Sequence, residues 1–136
     1  KTMKNNDFGK YLNKLALKTQ FIVITHKKKT MEYVNNALFY LSTARYEGLP
    51  LAIIEAMALG KAIIASNVHG NRDCVLNEYN GYLLPLNVKE FRDKIVSLIE
   101  NHEIRKKFEG NSLKFFEKQF NIENQIKLLE EIYLAK

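Results

Sequence analysis

The chain has 136 residues, of which 46% are hydrophobic and 26% charged, and its 21 Lys and Arg against 15 Asp and Glu give a formal net charge of +6 at pH 7. This length and composition indicate one globular domain with a hydrophobic core and exclude a disordered, fibrous or membrane-spanning chain. The basic residues are spread along the chain except at 27–29, which favours a solvated basic surface over a nucleic-acid interface.

The N-terminal residues and the single cysteine add two expectations. Residues 1–6 lack the apolar core of a signal peptide, and the internal Met3 suggests a fragment of a longer protein. Cys74 stands alone, so no internal disulfide can form, and the chain fits a reducing compartment. We expect Cys74 to be a small buried hydrophobe.

Apolar periodicity and turn residues predict an alternation of helices and strands, followed by helices alone. Helices are expected at 8–17, 31–37, 50–59, 88–100 and 102–119, with a last one starting near Asn121, and strands at 21–25, 38–41, 62–65 and 82–84. Residues 66–72 are expected to form a loop, 74–76 a short helical turn and Asn80-Gly81 a turn. Such alternation implies a parallel sheet, and the loops 25–29, 45–50 and 66–73 would meet at its ligand-binding edge.

Two carboxylates, Glu47 and Glu55, flank a predicted helix start at Pro50. Glu47 would hang in the loop and Glu55 would lie on the second turn, roughly 8 Å along the axis from Pro50. Between them the helix N-terminus offers free N–H groups and a partial positive charge, and Gly48 permits close backbone approach, a combination that favours phosphate. Carboxylates accept paired hydrogen bonds from vicinal hydroxyls, so each of the two carboxylates suits a diol. A ligand with a diol, a phosphate and a second diol in that order is a nucleotide sugar.

A simpler interpretation is that Glu47 only interacts favourably with the helix dipole and that Glu55 only pairs with a lysine. The helix carrying Glu55 has the composition of one buried almost all round. A glutamate buried on such a helix is costly without a role, which favours the functional interpretation.

The same residues resemble the retaining nucleotide-sugar glycosyltransferases of family four. Their catalytic C-terminal domain carries a signature of the form S-R-x-E-G, then E-A-M-A-x-G-x-P-V-I-A-S. The matching segments here are Arg45-Tyr46-Glu47-Gly48, Glu55-Ala56-Met57-Ala58-Leu59-Gly60-Lys61-Ala62-Ile63-Ile64-Ala65-Ser66, Gly70-Asn71-Arg72-Asp73 and Asn80-Gly81-Tyr82-Leu83. The resemblance runs from about Phe21 to the C-terminus. It departs at Ala44, Ala62 and Asp73, where the family usually has Ser, Pro and Glu.

The resemblance implies a fold and a set of site residues. The fold would be α/β, the Rossmann-like parallel sheet of the C-terminal half of a GT-B enzyme, without its first strand, glycine turn and diphosphate-binding Arg and Lys. Glu55 would bind the donor ribose and Glu47, the catalytic candidate, the transferred sugar. The amides of the segment 48–51 would hold the diphosphate and sugar. The full set of expected substrate-binding residues is Arg45, Glu47, Gly48, Leu49, Pro50, Leu51, Glu55, His26, Gly70, Asn71 and Arg72.

The implied activity is transfer of a sugar from a UDP- or GDP-sugar donor to a glycan or lipid-linked acceptor, with retention of configuration, in polysaccharide, capsule or lipopolysaccharide synthesis. The resemblance implies neither a metal ion nor a nucleic-acid partner. It implies a cytoplasmic location, compatible with peripheral contact at the inner membrane face. The acceptor would be bound by an N-terminal domain absent from these residues. His26 would lie near the nucleotide, and Arg72 would pair either with donor phosphate or with a carboxylate of its own loop.

Two other functions remain open at the level of sequence. A lone C-terminal half could serve as a noncatalytic nucleotide-sugar-binding or assembly module. Residues 21–26 also look like the switch-histidine strand of a cassette-type ATPase, but a nucleotide hydrolase needs the G-x-x-x-x-G-K-[ST] loop, which does not occur.

Overall fold

In the computed structural model, residues 30–135 are described, and they form three parallel strands and six helices. In chain order the elements are α1 (Thr30–Asn36), β1 (Phe39–Ser42), α2 (Leu51–Ala58), β2 (Ala62–Ser66), α3 (His69–Cys74), β3 (Gly81–Leu84), α4 (Val88–Glu100), α5 (His102–Gln119) and α6 (Ile122–Leu134). The expectations for 8–17 and 21–25 lie outside these residues. The described part of the chain therefore has the predicted α/β character.

The sheet has the strand order β1-β2-β3, and both pairings are parallel. Phe39 lies opposite Ala62, and Ile63 lies opposite Gly81. Every residue of β2 is buried, which explains why its sequence is apolar without alternation: a central parallel strand is covered on both faces. Because parallel strands need crossover connections, α2 and α3 lie between successive strands in the chain.

Two hydrophobic clusters cover the two faces of this sheet. On one face, Ile63 and Ala65 of β2 pack with the buried side of α2 and with Cys74. On the other, Ala62 and Ile64 pack with β3, α4 and Phe108 of α5. Alternate residues of β2 thus point to opposite faces, as the period of a strand requires. The burial of Cys74 confirms the expectation from sequence.

Three local predictions were wrong. Residues 66–72 were expected to be a loop, but His69–Cys74 is helical, and the helical turn expected at 74–76 comes earlier, since Val75 is already extended. Gly and Asn are poor helix formers, so their presence concealed α3 from a propensity argument. Pro50 precedes α2 as its N-cap and is not its first residue.

Helix α2 is buried on one side only, which corrects the expectation of nearly complete burial. Ile53, Ala56 and Met57 face the core, whereas Leu51 and Glu55 are exposed. The argument that a buried Glu55 must have a role is therefore wrong, because the carboxylate is presented to solvent. Its exposure leaves it free to meet a ligand without a large desolvation cost.

Helix α6 begins after Asn121, whose side chain accepts a hydrogen bond from the Glu123 amide at 2.9 Å, as the sequence predicted. None of the residues of α6 is buried. A helix that covered the sheet would bury its apolar face, so α6 does not cover the sheet. The exposed apolar residues of α6 are Ile122, Ile126, Leu128, Leu129, Ile132, Tyr133 and Leu134.

Candidate functional site

The loop between β1 and α2 forms one wall of an open depression of about 620 Å³ at the carboxyl edge of the sheet. The loop after β2 forms the other wall, so the two described loops that were expected to converge do so. The lining residues are Arg45, Tyr46, Glu47, Gly48, Val68 and His69. Ligands of parallel α/β sheets bind at this edge.

A direct backbone contact holds the two walls together. The Gly70 amide donates to the Glu47 carbonyl at 3.0 Å. A Cβ atom at position 70 would lie 2.2 Å from the Gly48 carbonyl oxygen and 2.7 Å from that of Glu47. Only glycine permits this approach, so Gly70 supports the site through its backbone.

A second connection lies deeper, below the same loops. Ser66 Oγ donates to the Ala44 carbonyl at 2.5 Å, and Asn71 Nδ2 donates to the Ser66 carbonyl at 2.9 Å. Asn71 is fully buried, and its Oδ1 has no hydrogen-bond partner among residues 30–135. Asn71 was expected to contact substrate, but its amide nitrogen is engaged inside the loop framework. The structure therefore gives Asn71 a supporting position.

Arg72 has a partner that neither prediction named. Its Nε donates to Asn67 Oδ1 at 2.7 Å on the exposed side of α3, and Arg72 does not line the depression. Among residues 30–135, no ion pair joins Arg72 to Asp73. Arg72 thus makes a hydrogen bond to a neutral amide in place of the intraloop salt bridge considered from sequence.

Glu47 and Glu55 both influence Tyr40, a residue of β1 that packs against the α2 side of the core. The pKa of Tyr40 is raised, first by burial and then by the negative charges of Glu55 and Glu47. The pKa of Cys74 is raised to about 11, by burial first and then by the charges of Asp73 and Glu47. Both carboxylates therefore lie close enough to Tyr40 for their charges to act on its hydroxyl group.

The backbone between the two carboxylates presents fewer free donors than the resemblance implied. Pro50 has no N–H, and the Leu51 amide donates to the Leu49 carbonyl at 3.0 Å. The amides of Gly48, Leu49 and Ala52 donate to no group of the described chain. Of the expected amides of 48–51, only those of Gly48 and Leu49 are thus without a hydrogen-bond acceptor in residues 30–135, and the Ala52 amide shares this property.

Arg45 and His69 complete the charged and polar lining. Arg45 is exposed, and no carboxylate of residues 30–135 forms an ion pair with it. His69 is exposed, and it lines the depression at the start of α3. A prediction of α3 would have indicated it, because the first residue of that helix faces the β1–α2 loop. His26 lies outside the described residues.

The described part of the chain contains neither a metal cluster nor a membrane span. No group of three His, Cys, Asp or Glu side chains in residues 30–135 is arranged to hold a metal ion. None of the helices between Thr30 and Ala135 combines the length and apolar character needed to cross a membrane.

The sequence and the fold are similar to those of known proteins. The family model for glycosyl transferases group 1 matches residues 4–115. An uncharacterized glycosyltransferase of Methanocaldococcus jannaschii is 30% identical over 128 residues, covering 79% of this chain and 33% of the relative. A UDP-Gal:α-D-GlcNAc-diphosphoundecaprenol α-1,3-galactosyltransferase of Escherichia coli is 25% identical over 133 residues, covering 91% of this chain and 32% of the relative.

A mutant of the Staphylococcus aureus protein TarM, crystallised with UDP and α-GlcNAc-glycerol, has the same fold, with a TM-score of 0.76 and 20% identity over 96% of this chain and 27% of that one. The predicted fold class, a Rossmann-like parallel α/β sheet of GT-B type, is confirmed. The chain spans about one third of the length of the curated relatives it matches. The family model covers most of the chain, and the chain therefore belongs to the glycosyl transferases group 1 family.

Proposed function

We propose that this chain is the donor-binding half of a glycosyltransferase that transfers a sugar from a nucleoside-diphosphate sugar, with retention of configuration, to a glycan or lipid-linked acceptor. One observation carries the proposal: between Glu47 and Glu55 the backbone amides of Gly48, Leu49 and Ala52 donate to no group of residues 30–135. Carboxylate, free donors and carboxylate follow one another in the order that sugar, diphosphate and ribose have in such a donor.

Each group has a chemical task in this proposal. The Glu47 carboxylate accepts hydrogen bonds from hydroxyls of the transferred sugar, and the exposed Glu55 carboxylate accepts them from the ribose diol. The free amides at the start of α2 donate to the diphosphate, where the helix dipole also favours negative charge. Arg45, which has no ion-pair partner among the described residues, supplies a cation on the Glu47 side.

The proposed reaction needs positioning and charge stabilisation more than a protein nucleophile. As the bond from sugar to phosphate breaks, negative charge grows on the leaving diphosphate, and fixed amide donors stabilise it without reorganising. The donor's own phosphate would take the acceptor proton, while the protein holds both reactants in line. We propose that no metal ion is required for this step and that further cations come from the part of the enzyme that precedes this chain.

The relatives support the chemical class of the substrates. The Escherichia coli relative uses UDP-Gal and an acceptor linked to diphosphoundecaprenol, and the TarM structure contains UDP. A uridine nucleotide donor and a polyprenyl-diphosphate-linked acceptor are therefore the first pair to try. Such an acceptor would bring the intact enzyme to the inner face of the cytoplasmic membrane.

Calorimetric titration of the intact protein with UDP, GDP and ADP tests the donor assignment. Glu55→Ala should weaken binding of the preferred nucleotide by about 10- to 100-fold, because it removes charge-assisted hydrogen bonds to the ribose. Glu100→Ala, at the exposed end of α4, is the matched control and should bind like the unchanged protein. Tight binding that ignores the Glu55 change would contradict the ribose assignment.

A noncatalytic binding module is the second candidate, because the chain spans only about one third of its relatives. Binding alone cannot separate the two, but turnover can. Incubating the intact protein with a radiolabelled UDP-sugar and a polyprenyl-diphosphate acceptor should give labelled product. Nucleotide-sugar binding without any transfer to a panel of acceptors would favour the binding module.

A further inference from the structure

Tyr46 is the most exposed large hydrophobic side chain of residues 30–135, with 91% of its surface accessible. It lines the depression together with Glu47 and His69 and belongs to neither core cluster. The fold does not need this ring, since it adds almost nothing to the buried surface. An aromatic ring beside polar groups in this depression indicates a ligand contact, because binding pockets combine aromatic faces with a few polar groups.

The backbone holds Tyr46 between two fixed points. On one side the Ala44 carbonyl accepts from Ser66 Oγ, and on the other the Glu47 carbonyl accepts from the Gly70 amide. These two hydrogen bonds anchor the backbone two residues before Tyr46 and one residue after it. The backbone position of Tyr46 is therefore fixed before a ligand arrives, which reduces the entropy lost on binding.

His69 stands on the opposite wall under the same constraint. It is the residue before Gly70, whose backbone contact with Glu47 and Gly48 fixes the spacing of the two walls. Its imidazole can donate one hydrogen bond and accept another. An aromatic face, a carboxylate and an imidazole thus surround one space.

We infer that Tyr46 and His69 form a subsite for the sugar ring of the donor, with Tyr46 packing against the C–H face of the pyranose and His69 hydrogen-bonding a ring hydroxyl. The inference rests on the proposed function, because it takes the depression to be the sugar end of the donor site. Glu55, the proposed ribose ligand, does not line the depression, whereas Glu47 does. Tyr46 and His69 therefore contact the sugar and not the nucleotide.

The test compares each nucleotide with its sugar conjugates by calorimetry on the intact protein. The probes are UDP and GDP alone, then UDP-glucose, UDP-galactose, UDP-N-acetylglucosamine and GDP-mannose. For each, the ratio of the nucleotide Kd to the nucleotide-sugar Kd measures what the sugar contributes. Tyr46→Ala should lower this ratio by about five- to tenfold for the preferred sugar, the size expected for an aromatic contact, and Tyr46→Phe should preserve it.

Further variants sharpen the result. Bare nucleotide should bind Tyr46→Ala within about twofold of the unchanged protein, and the Tm of this variant should not fall, since an exposed ring adds little stability. His69→Ala should change the order of preference among the sugars, while Tyr79→Ala, on a turn away from the depression, should change nothing.

Three outcomes would overturn the inference. Equal losses for nucleotide and nucleotide sugar on Tyr46→Ala would mean that the ring contacts the nucleotide. An unchanged ratio for both Tyr46→Ala and His69→Ala would mean that the subsite does not exist, while the proposed function would stand if Glu55→Ala still weakened binding. Failure of the unchanged protein to bind any probe would reject the proposed function itself, and the subsite with it.

Discussion

The amide of Gly70 donates to the carbonyl of Glu47 at 3.0 Å, and this contact joins the two walls of the candidate site. The space around Gly70 admits no side chain, since a Cβ there would lie 2.2 Å from the Gly48 carbonyl oxygen. The position of the Glu47 carboxylate thus depends on a glycine more than twenty residues away in the chain. The backbone at Glu47 and Gly48 is thus held by a contact between two loops and not by local sequence alone.

Substituting Gly70 by alanine should damage both stability and binding. The methyl group must displace the backbone of 47–48, and overpacking of this kind costs about 1–3 kcal/mol. Because the displaced loop carries Glu47 and the free amides, nucleotide-sugar affinity should fall more than about tenfold, the factor that 1.4 kcal/mol represents. Thermal unfolding and calorimetry on the same preparation measure the two effects.

Gly110→Ala is the matched control for that substitution. Gly110 lies inside α5, and a Cβ atom added there would have no neighbour within 4 Å, so alanine should fit and stabilise the helix by about 1 kcal/mol. A rise in Tm for Gly110→Ala with a fall for Gly70→Ala would support the account. Equal behaviour of the two variants would contradict it.

The buried amide of Asn71 leads to a prediction about the framework. Asn71→Asp replaces the Nδ2 donor to the Ser66 carbonyl with an acceptor and places a carboxyl group in a fully buried position. We expect a loss of at least about 2 kcal/mol at pH 7, because a buried unpaired charge is costly. The loss should shrink as pH is lowered and the new carboxyl group is protonated.

Urea unfolding at pH 5 and pH 7 measures this pH dependence. Asn111→Asp is a useful comparison, since Asn111 makes a more exposed hydrogen bond to the Tyr79 carbonyl at 2.8 Å. That variant should lose about 1 kcal/mol or less. An Asn71→Asp protein as stable as the parent at pH 7 would show that the Ser66–Asn71 link does not support the loops.

Cys74 should be unreactive in the folded protein. Its pKa is raised from 9.0 to about 11, chiefly by burial, so very little thiolate exists at pH 8 and the side chain is inaccessible. A thiol reagent at pH 8 should therefore label Cys74 only after unfolding in guanidinium chloride. Fast labelling of the native protein would contradict its place in the core.

The raised pKa of Cys74 also makes the free energy of unfolding depend on pH. Because the folded pKa lies above the unfolded one, the protonated thiol favours the fold below about pH 9, and this contribution is lost as pH rises from 9.0 toward about 11. Cys74→Ala should lose less stability than the parent over that range. Parallel stability curves for the two proteins would show that the thiol is not buried as described.

Much of the architecture could be predicted from sequence, and particular residues show where prediction stopped. The run from Arg45 to Ser66 indicated the loop–helix–strand unit because apolar composition, proline and glycine mark its boundaries locally. Helix α3 was missed because Gly70 and Asn71 disfavour helix by propensity, and their reasons for being there are tertiary. The burial of Asn71 and the place of His69 depend on contacts between segments, which a single sequence does not state.

The carboxylate pair shows the same division. The spacing of Glu47 and Glu55 and the helix start between them could be predicted from the sequence. The exposure of Glu55 could not be predicted, since it depends on which side of α2 packs against the sheet. The count of free amides also needed the structure, because the Leu51 amide turns back onto Leu49.

The exposed face of α6 should contribute little to the stability of the described domain. Leu129 is 52% exposed and no residue of α6 is buried, so Leu129→Lys should change the free energy of unfolding of the 136-residue chain by less than about 0.5 kcal/mol. Leu98→Ala, at a fully buried position of α4, should cost about 2–5 kcal/mol. Denaturant unfolding of both variants tests this, and a large loss for Leu129→Lys would contradict the exposed face.

The central claim is that Glu47 binds the transferred sugar and Glu55 binds the ribose. Titrating two ligands into variants of both residues tests it most directly. UDP and a UDP-sugar are each titrated calorimetrically into the unchanged protein, Glu47→Gln and Glu55→Gln. The account predicts that Glu55→Gln weakens both ligands by about tenfold or more, whereas Glu47→Gln weakens only the UDP-sugar, because only the sugar reaches it. Equal weakening of both ligands by both substitutions, or no weakening by either, would contradict it.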